Sequence, residues 1–464
     1  MITYSIISKS HLEGALRLDP EYYQPEFLSN AKLLEKYGYS ELKDLSTIGI
    51  TKGETPLWRG DNYIKEGIPF LRSENLIPIG LELDDIVFIS NKVNERMKRS
   101  KIYPNDVLVA IVGATIGKTG LVTDDFEEYN TNQANAIVRP QDEKKSAYLS
   151  IVLETKICQL QIERLKGGGA RDNLDLNEVQ ILKIPKTTSK LFEYSFAMVK
   201  KIRELRKSSQ SLYTQAEDLL LEDLGLAASA DGSTKLTMTA SAEDLTFTTS
   251  LKDCQQVGRI DADFFQPKYE RILSKIKVKK EKLSNLVSWQ KGIEPGSEEY
   301  AEEGRPFIRV SNMSKFGIND NNQQFLSEKL YGELKDKYQP KKGEILLSKD
   351  ATPGIAVLLE QDVEGIISGG TLRLKIKDKN LNPQYLSLVL NSLICQMQIE
   401  RDAGGSIIIH WRPDQVENTI IPILPLKTQQ KIAELVNESF KLRKEAKELL
   451  EEAKKRVEEE IEKN

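Results

Sequence analysis

Apolar positions near the end of the chain recur at steps of four and three. Leu435, Ser439, Leu442, Ala446, Leu449, Ala453 and Val457 form one seam, with Glu, Lys and Arg between them and neither Pro nor Gly over 427–464. That spacing predicts a long helix whose narrow stripe suits a helical partner better than a broad globular face. The pattern also occurs mid-chain, where Leu205, Ser209, Leu212 and Ala216 stand 237 positions before Leu442, Ala446, Leu449 and Ala453, and Leu219 continues the seam. Two long helices are therefore expected, over 189–226 and 427–464. An antiparallel pairing would bury the two seams against each other and leave a globular body at either end. A parallel pairing stays open, because the linker over 227–258 is long enough to run back along a rod of roughly 54 Å.

The rest of the chain is duplicated too. Arg17-Leu18-Asp19-Pro20-Glu21-Tyr22-Tyr23-Gln24-Pro25 returns as Arg259-Ile260-Asp261-Ala262-Asp263-Phe264-Phe265-Gln266-Pro267. Gly67-Ile68-Pro69-Phe70-Leu71-Arg72 answers to Gly304-Arg305-Pro306-Phe307-Ile308-Arg309, each reading as a strand entered from a turn. Basic helical stretches at 91–101 and 328–342 precede apolar strands at 107–112 and 345–347. Helical phrases follow, Tyr148-Leu149-Ser150 with Cys158-Gln159-Leu160-Gln161-Ile162-Glu163-Arg164, and Tyr385-Leu386-Ser387 with Cys395-Gln396-Met397-Gln398-Ile399-Glu400-Arg401. Glycines at 167–169 and 404–405 stop them, and a strand closes each copy at Ile184-Pro185 and Ile421-Pro422. The expected fold is α/β (α+β): one globular unit over 1–188, a helix over 189–226, the linker, a second unit over 259–426 and a second helix over 427–464.

Composition narrows the picture only a little. With 464 residues, 39% hydrophobic and 29% charged, a chain of several globular domains is expected. No apolar run approaches the ~18 residues of a membrane helix, so the expected location is the cytoplasm and no membrane partner is expected. Cys158, Cys254 and Cys395 lack disulfide or zinc spacing, and two histidines leave little for a metal site. No metal or cofactor is expected. The net charge of −4 runs against the basic excess usual in nucleic-acid binders, although such footprints are local.

The order of unit, helix, unit, helix, the Gly-Ile-Pro-Phe strand, the basic helix before an apolar strand, and Leu424-Pro425-Leu426-Lys427-Thr428-Gln429-Gln430-Lys431-Ile432-Ala433 entering the last helix together resemble the specificity (S) subunit of type I restriction-modification systems. The resemblance implies that each unit is a target recognition domain reading one half of a bipartite double-stranded DNA sequence. It implies that the helices set the spacer and dock two methyltransferase (M) subunits, that a restriction/translocase (R) subunit joins, and that the chain itself is non-catalytic. The first helix departs from the pattern, being entered through Pro185-Lys186-Thr187-Thr188-Ser189 without the Gln-Gln-Lys-Ile-Ala phrase.

Three motifs suggest other chemistry, and each has a plainer explanation. Gly113-Ala114-Thr115-Ile116-Gly117-Lys118-Thr119 has one residue too few between its glycines for a phosphate-binding loop and precedes a strand-like run, so a hairpin turn is expected, offering Lys118 and Thr119 to DNA. Asn382-Pro383-Gln384-Tyr385 is similar to the Asn-Pro-Pro-Tyr of amino-methyltransferases but differs at its third residue, and reads as a helix start. Glu445-Ala446-Lys447 lies within a charged helix and reads as a solvated face.

Basic sets are better candidates for DNA contact. Lys92, Arg96, Lys98, Arg99 and Lys101 in the first unit, and Lys335, Lys337, Lys341 and Lys342 in the second, could each neutralise several phosphates; ion pairs on a helix surface are the bland alternative. For base reading, the polar residues beside strand ends are Lys52, Trp58, Arg59, Arg72, Ser73 and Asn75, then Lys291, Arg309, Ser311 and Asn312. Arg matches two acceptors of guanine and Asn the paired groups of adenine, but either residue type also closes turns. Arg171 and Asn173, with His410, Trp411 and Arg412, form a second loop set after the glycines. A protein-binding scaffold with duplicated α/β modules is the alternative of a different class; duplex binding at low salt separates the two.

Overall fold

The computed structural model describes residues 4–12, 18–56, 60–166, 173–226, 246–320, 322–404 and 408–463. The chain divides into two units, 1–207 with 442–464, and 208–441. Both mix helix and sheet. The candidates Trp58, Arg59 and Arg171 and most of the linker lie outside the described residues.

In unit one, the strand Val107–Ala110 has side chains in two cores. Val107, Val109 and Ile111 face a helical layer, whereas Leu108 and Ala110 pack with Leu71, Leu76, Ile102 and Tyr129. Period-two alternation accounts for this, since both faces of the sheet are covered and both sets must be apolar. Its antiparallel sheet runs Thr51–Lys52, Asn135–Val138, Val107–Ala110, Thr119–Leu121. A second sheet sets Ile68–Leu71 parallel to Tyr129–Thr131. Unit two repeats the plan. Val287–Lys291, Thr371–Ile376, Ile345–Ser348 and Ala356–Leu358 form the first sheet, and Arg305–Ile308 runs parallel to Ile366–Ile367 in the second.

The recurring helical phrases have the same structural work in each unit. Tyr148 donates to the Pro185 carbonyl and Tyr385 to that of Pro422, both at 2.8 Å. Gln161 clasps the backbone of Lys183, and Gln398 that of Ile420, each through a donor and an acceptor. These bonds tie the closing strand of each unit to its helices. Buried backbone groups need such partners, which explains why the polar residues recur at these positions. Cys158 and Cys395 lie beside them as buried thiols, pushed up to about 12 by burial, and Cys254 is also unpaired.

The long helices cover Ser189–Asp223 and Leu426–Glu462. In unit one they run in opposite directions: Thr188, Leu191 and Tyr194 share a groove with Glu452, Arg456 and Glu460, while Lys201 pairs with Glu445 further along. In unit two the Ser209 and Ser439 hydroxyls meet at 2.9 Å, and Tyr213 stacks on Phe440. The buried stripe differs from the expected seam. Ser209, Ala216, Ser439, Ala446, Ala453 and Val457 are buried as expected, but Leu205, Leu212, Leu219, Leu435, Leu442 and Leu449 are only half-buried at its margins. The places of those leucines in the buried stripe are taken by Val199, Ile202, Tyr213 and Leu220, and by Ile432, Val436 and Leu450. Spacing by four and three fits either stripe, and the globular layers, which pack on the same helices, select the second.

Both stripes pass through an arginine. Arg206 donates to the Pro78 carbonyl at 2.6 Å, and burial, then the neighbouring Arg443, draws its guanidinium down to about 10. A charged side chain at a helix-core position costs stability and fixes register. No helix among the described residues is long and apolar enough to cross a membrane.

Candidate nucleic-acid interface

In unit two, five segments far apart in sequence meet at one rim. Gly292–Glu294 joins the turn after Ile367 through Ile293 N–H to the Ile367 carbonyl and Gly369 N–H to the Ile293 carbonyl. Ser368 N–H reaches the Ile308 carbonyl, which brings in Arg309 and Ser311. Lys349 N–H donates to the Gly370 carbonyl, and Ala351 N–H to that of Ile409, so the hairpin and the last loop close the rim. Unit one has the same convergence. Glu54 N–H meets the Thr131 carbonyl, Asn132 N–H meets that of Leu71, and Leu174 N–H meets that of Ile111 beside Asn173.

A glycine allows each crossing. A Cβ at Gly53 would lie 2.1 Å from the Thr131 and Asn132 carbonyl oxygens, and one at Gly292 2.2 Å from that of Ser368. Each follows a candidate cation, Lys52 or Lys291, exposed at the strand end.

Several expected readers serve the fold instead. Asn75 and Asn312 are 3% and 0% exposed, and each accepts the N–H of the arginine three residues before it, Arg72 or Arg309. They close turns, which corrects the expectation that their amides read adenine. Thr119 is fully buried and donates to Glu154. Burial raises the Glu154 carboxyl, and unit two holds the neutral Asn391 at the matching place, bonded to the Ala356 backbone. Trp411 is 1% exposed and belongs to the core. Its indole is too apolar to leave on a loop.

Other candidates stay at the surface. Arg72 and Arg309 reach the Asp85 and Asn322 carbonyls with one guanidinium nitrogen, while Nε in both is buried without a hydrogen bond. Ser73 is half-buried, whereas Ser311, Asn173, His410 and Arg412 are exposed. Arg412 pairs with Asp414. Lys118 lies in a loop joining antiparallel strands, not the strand-to-helix turn of a phosphate-binding loop.

The basic sets split into paired and open cations. Arg96 pairs with Asp61, Lys101 with Glu95 and Glu128, and Lys341 with Asp362. Lys98 is 3.9 Å from Glu95, an exposed pair of little strength. Lys337 lies over the Tyr338 ring, and Lys92, Lys335 and Lys342 are exposed. Thr51 donates to the Arg99 carbonyl, which places Lys52, Lys98 and Arg99 on neighbouring segments of one surface. Asn382 caps its helix by accepting from the Gln384 and Tyr385 N–H groups, and Tyr385 is buried, so this phrase is a helix start.

Lys349, Asp350 and Ala351 are not among the contact candidates that the sequence offers, Asp350 and Ala351 standing there only as the repeat partners of Gly113 and Ala114. Their signal was a polar break directly after the apolar strand Ile345–Ser348.

The model of the type I restriction modification DNA specificity domain matches this chain twice, over residues 35–186 and 275–454. The chain belongs to this family. One matched stretch falls in each copy of the repeat, and the second runs on into the helix Leu426–Glu462. It is 30% identical over 164 residues to the type I restriction enzyme EcoBI specificity subunit of Escherichia coli, which covers 35% of this chain and 33% of that subunit. The match thus spans about a third of the curated relative. Among solved structures, the type I restriction-modification system S subunit from M. genitalium is 14% identical, with 91% of this chain and 94% of that one covered and a TM-score of 0.34. The HsdS subunit from Thermoanaerobacter tengcongensis is 14% identical, with 91% and 95% covered and a TM-score of 0.29.

Proposed function

We propose that this chain is the DNA-recognition subunit of a type I restriction-modification enzyme. Each unit reads one half of a bipartite duplex target, and the chemistry belongs to partner subunits. The observation that carries the reading is the doubled rim: the same five segments converge in both units, while the side chains they present differ. Asn173 stands where the other unit has His410, and Gly113 where it has Asp350. A conserved frame with different side chains is what two readers of two sequences require.

The long helices act as the spacer. At 35 and 37 residues they make rods of about 52 and 55 Å, and they carry two methyltransferase subunits, which a restriction/translocase subunit joins. The subunit works in the cytoplasm, where the host DNA is. Family membership and the open cations beside the rim of unit one support DNA as the ligand.

The test is a gel-shift series with random-sequence duplex at rising salt, using the chain co-purified with its methyltransferase. Binding at low salt that weakens steeply as salt rises is expected. No binding at low salt would leave a protein-binding scaffold as the better reading.

A further inference from the structure

Resting on the DNA-reading proposal, we infer that His410, held by Asp350, is a base-reading acceptor in unit two and selects a base that presents an exocyclic amino group in the major groove. His410 Nδ1 lies 2.8 Å from Asp350 Oδ1, although 60 residues separate them, and a β-bridge pins the two backbones. The His410 side chain is 57% exposed. Its second ring nitrogen, Nε2, makes no hydrogen bond among the described residues.

The pair fixes where the ring proton sits. Burial pushes the Asp350 carboxyl up, but hydrogen bonds from Lys349 and His410 outweigh it and hold the group below its ordinary value. An ionised carboxylate only accepts, so Nδ1 carries a proton, and in the tautomer with that single proton Nε2 is a bare acceptor. Facing the duplex, it matches the amino groups of adenine or cytosine and not the O6 and N7 acceptors of guanine.

Fold stability does not account for the cluster. A hydrogen bond to a half-exposed imidazole contributes little, yet the Lys349 side chain is only 9% exposed in order to reach Asp350, and Ala351 takes a φ of 61°. A buried cation and a strained residue at a rim are costs that a specificity site explains. Arg412, two residues on, is bound to Asp414, so it leaves the Asp350–His410 pair intact. In unit one the bridge falls between Val112 and Asn173, with no ionised partner at the first position.

The test is selection of bound sites from a random duplex pool at pH 8, by the chain with its methyltransferase. Wild type is compared with His410→Ala, Asp350→Ala and, as a control in the other unit, Asn173→Ala, with melting temperatures recorded. The wild type is expected to prefer adenine or cytosine, on the strand facing His410, at one position. Both His410→Ala and Asp350→Ala should relax that position about tenfold and leave the other half-site unchanged, whereas Asn173→Ala relaxes only the other half-site. If Asp350→Ala melts early, Asp350→Asn takes its place, and it too must relax that position. Unchanged preferences in His410→Ala would overturn the inference while leaving DNA reading intact. A wild type that selects no sequence would overturn the DNA reading itself, and this inference with it.

Discussion

Replacing Lys52, Lys98 and Arg99 together by Gln is expected to weaken duplex binding on the order of a hundredfold at about 0.15 M salt. These side chains lie on neighbouring segments, because Thr51 bonds to the Arg99 backbone, and among the described residues only Lys98 has an ion-pair partner, at 3.9 Å. Each phosphate contact contributes about 0.9 to the slope of log affinity against log salt. Three lost contacts lower that slope by about 2.7, which amounts to roughly a hundredfold at physiological salt. Because the side chains are exposed or weakly paired, the melting temperature should stay put. Fluorescence anisotropy across a salt series reads both quantities. An unchanged slope would show that this surface does not carry the DNA backbone.

Gly292→Ala should be among the most damaging small substitutions in unit two. A Cβ there would stand 2.2 Å from the Ser368 carbonyl oxygen and 2.3 Å from that of Ile367, and no backbone oxygen can yield as a flexible side chain would. The turn that joins four of the five rim segments must move. A loss of at least about 3 kcal/mol is expected, measured by denaturant unfolding. Gly53→Ala should do the same in unit one, where the oxygens are at 2.1 Å. A loss below about 1 kcal/mol in both would mean that the crossing relaxes freely and the rim is not rigidly held.

Much of this architecture was legible because duplication makes local patterns speak twice. The strand at 107–112 and its partner at 345–347, the hairpin at 113–119 and the helix start at Asn382 all follow from local chemistry, and the structure has them. What sequence cannot rank is side chains whose role depends on a distant neighbour. Asn75 and Asn312 look like adenine readers until the N–H groups of Arg72 and Arg309 claim their oxygens. Trp411 sits between two polar residues, yet its backbone N–H bonds to the Lys349 carbonyl and its ring fills the core. Arg206 reads as surface charge in a helix of charges, and only the Pro78 carbonyl reveals its inward course. Asp350 and His410 meet across 60 residues of chain, a pairing that no period or propensity encodes.

The two-reader account is tested most directly by mapping methylated sites genome-wide in a host that carries the chain and its methyltransferase. The comparison is with the same host after the rim of unit two alone, residues 408–412, is replaced by the corresponding loop of unit one. The account predicts a target of two specific parts separated by an unread gap, with the replacement altering one part and leaving the other part and the gap length as they were. A single uninterrupted target, or a replacement that changes both parts together, would contradict it.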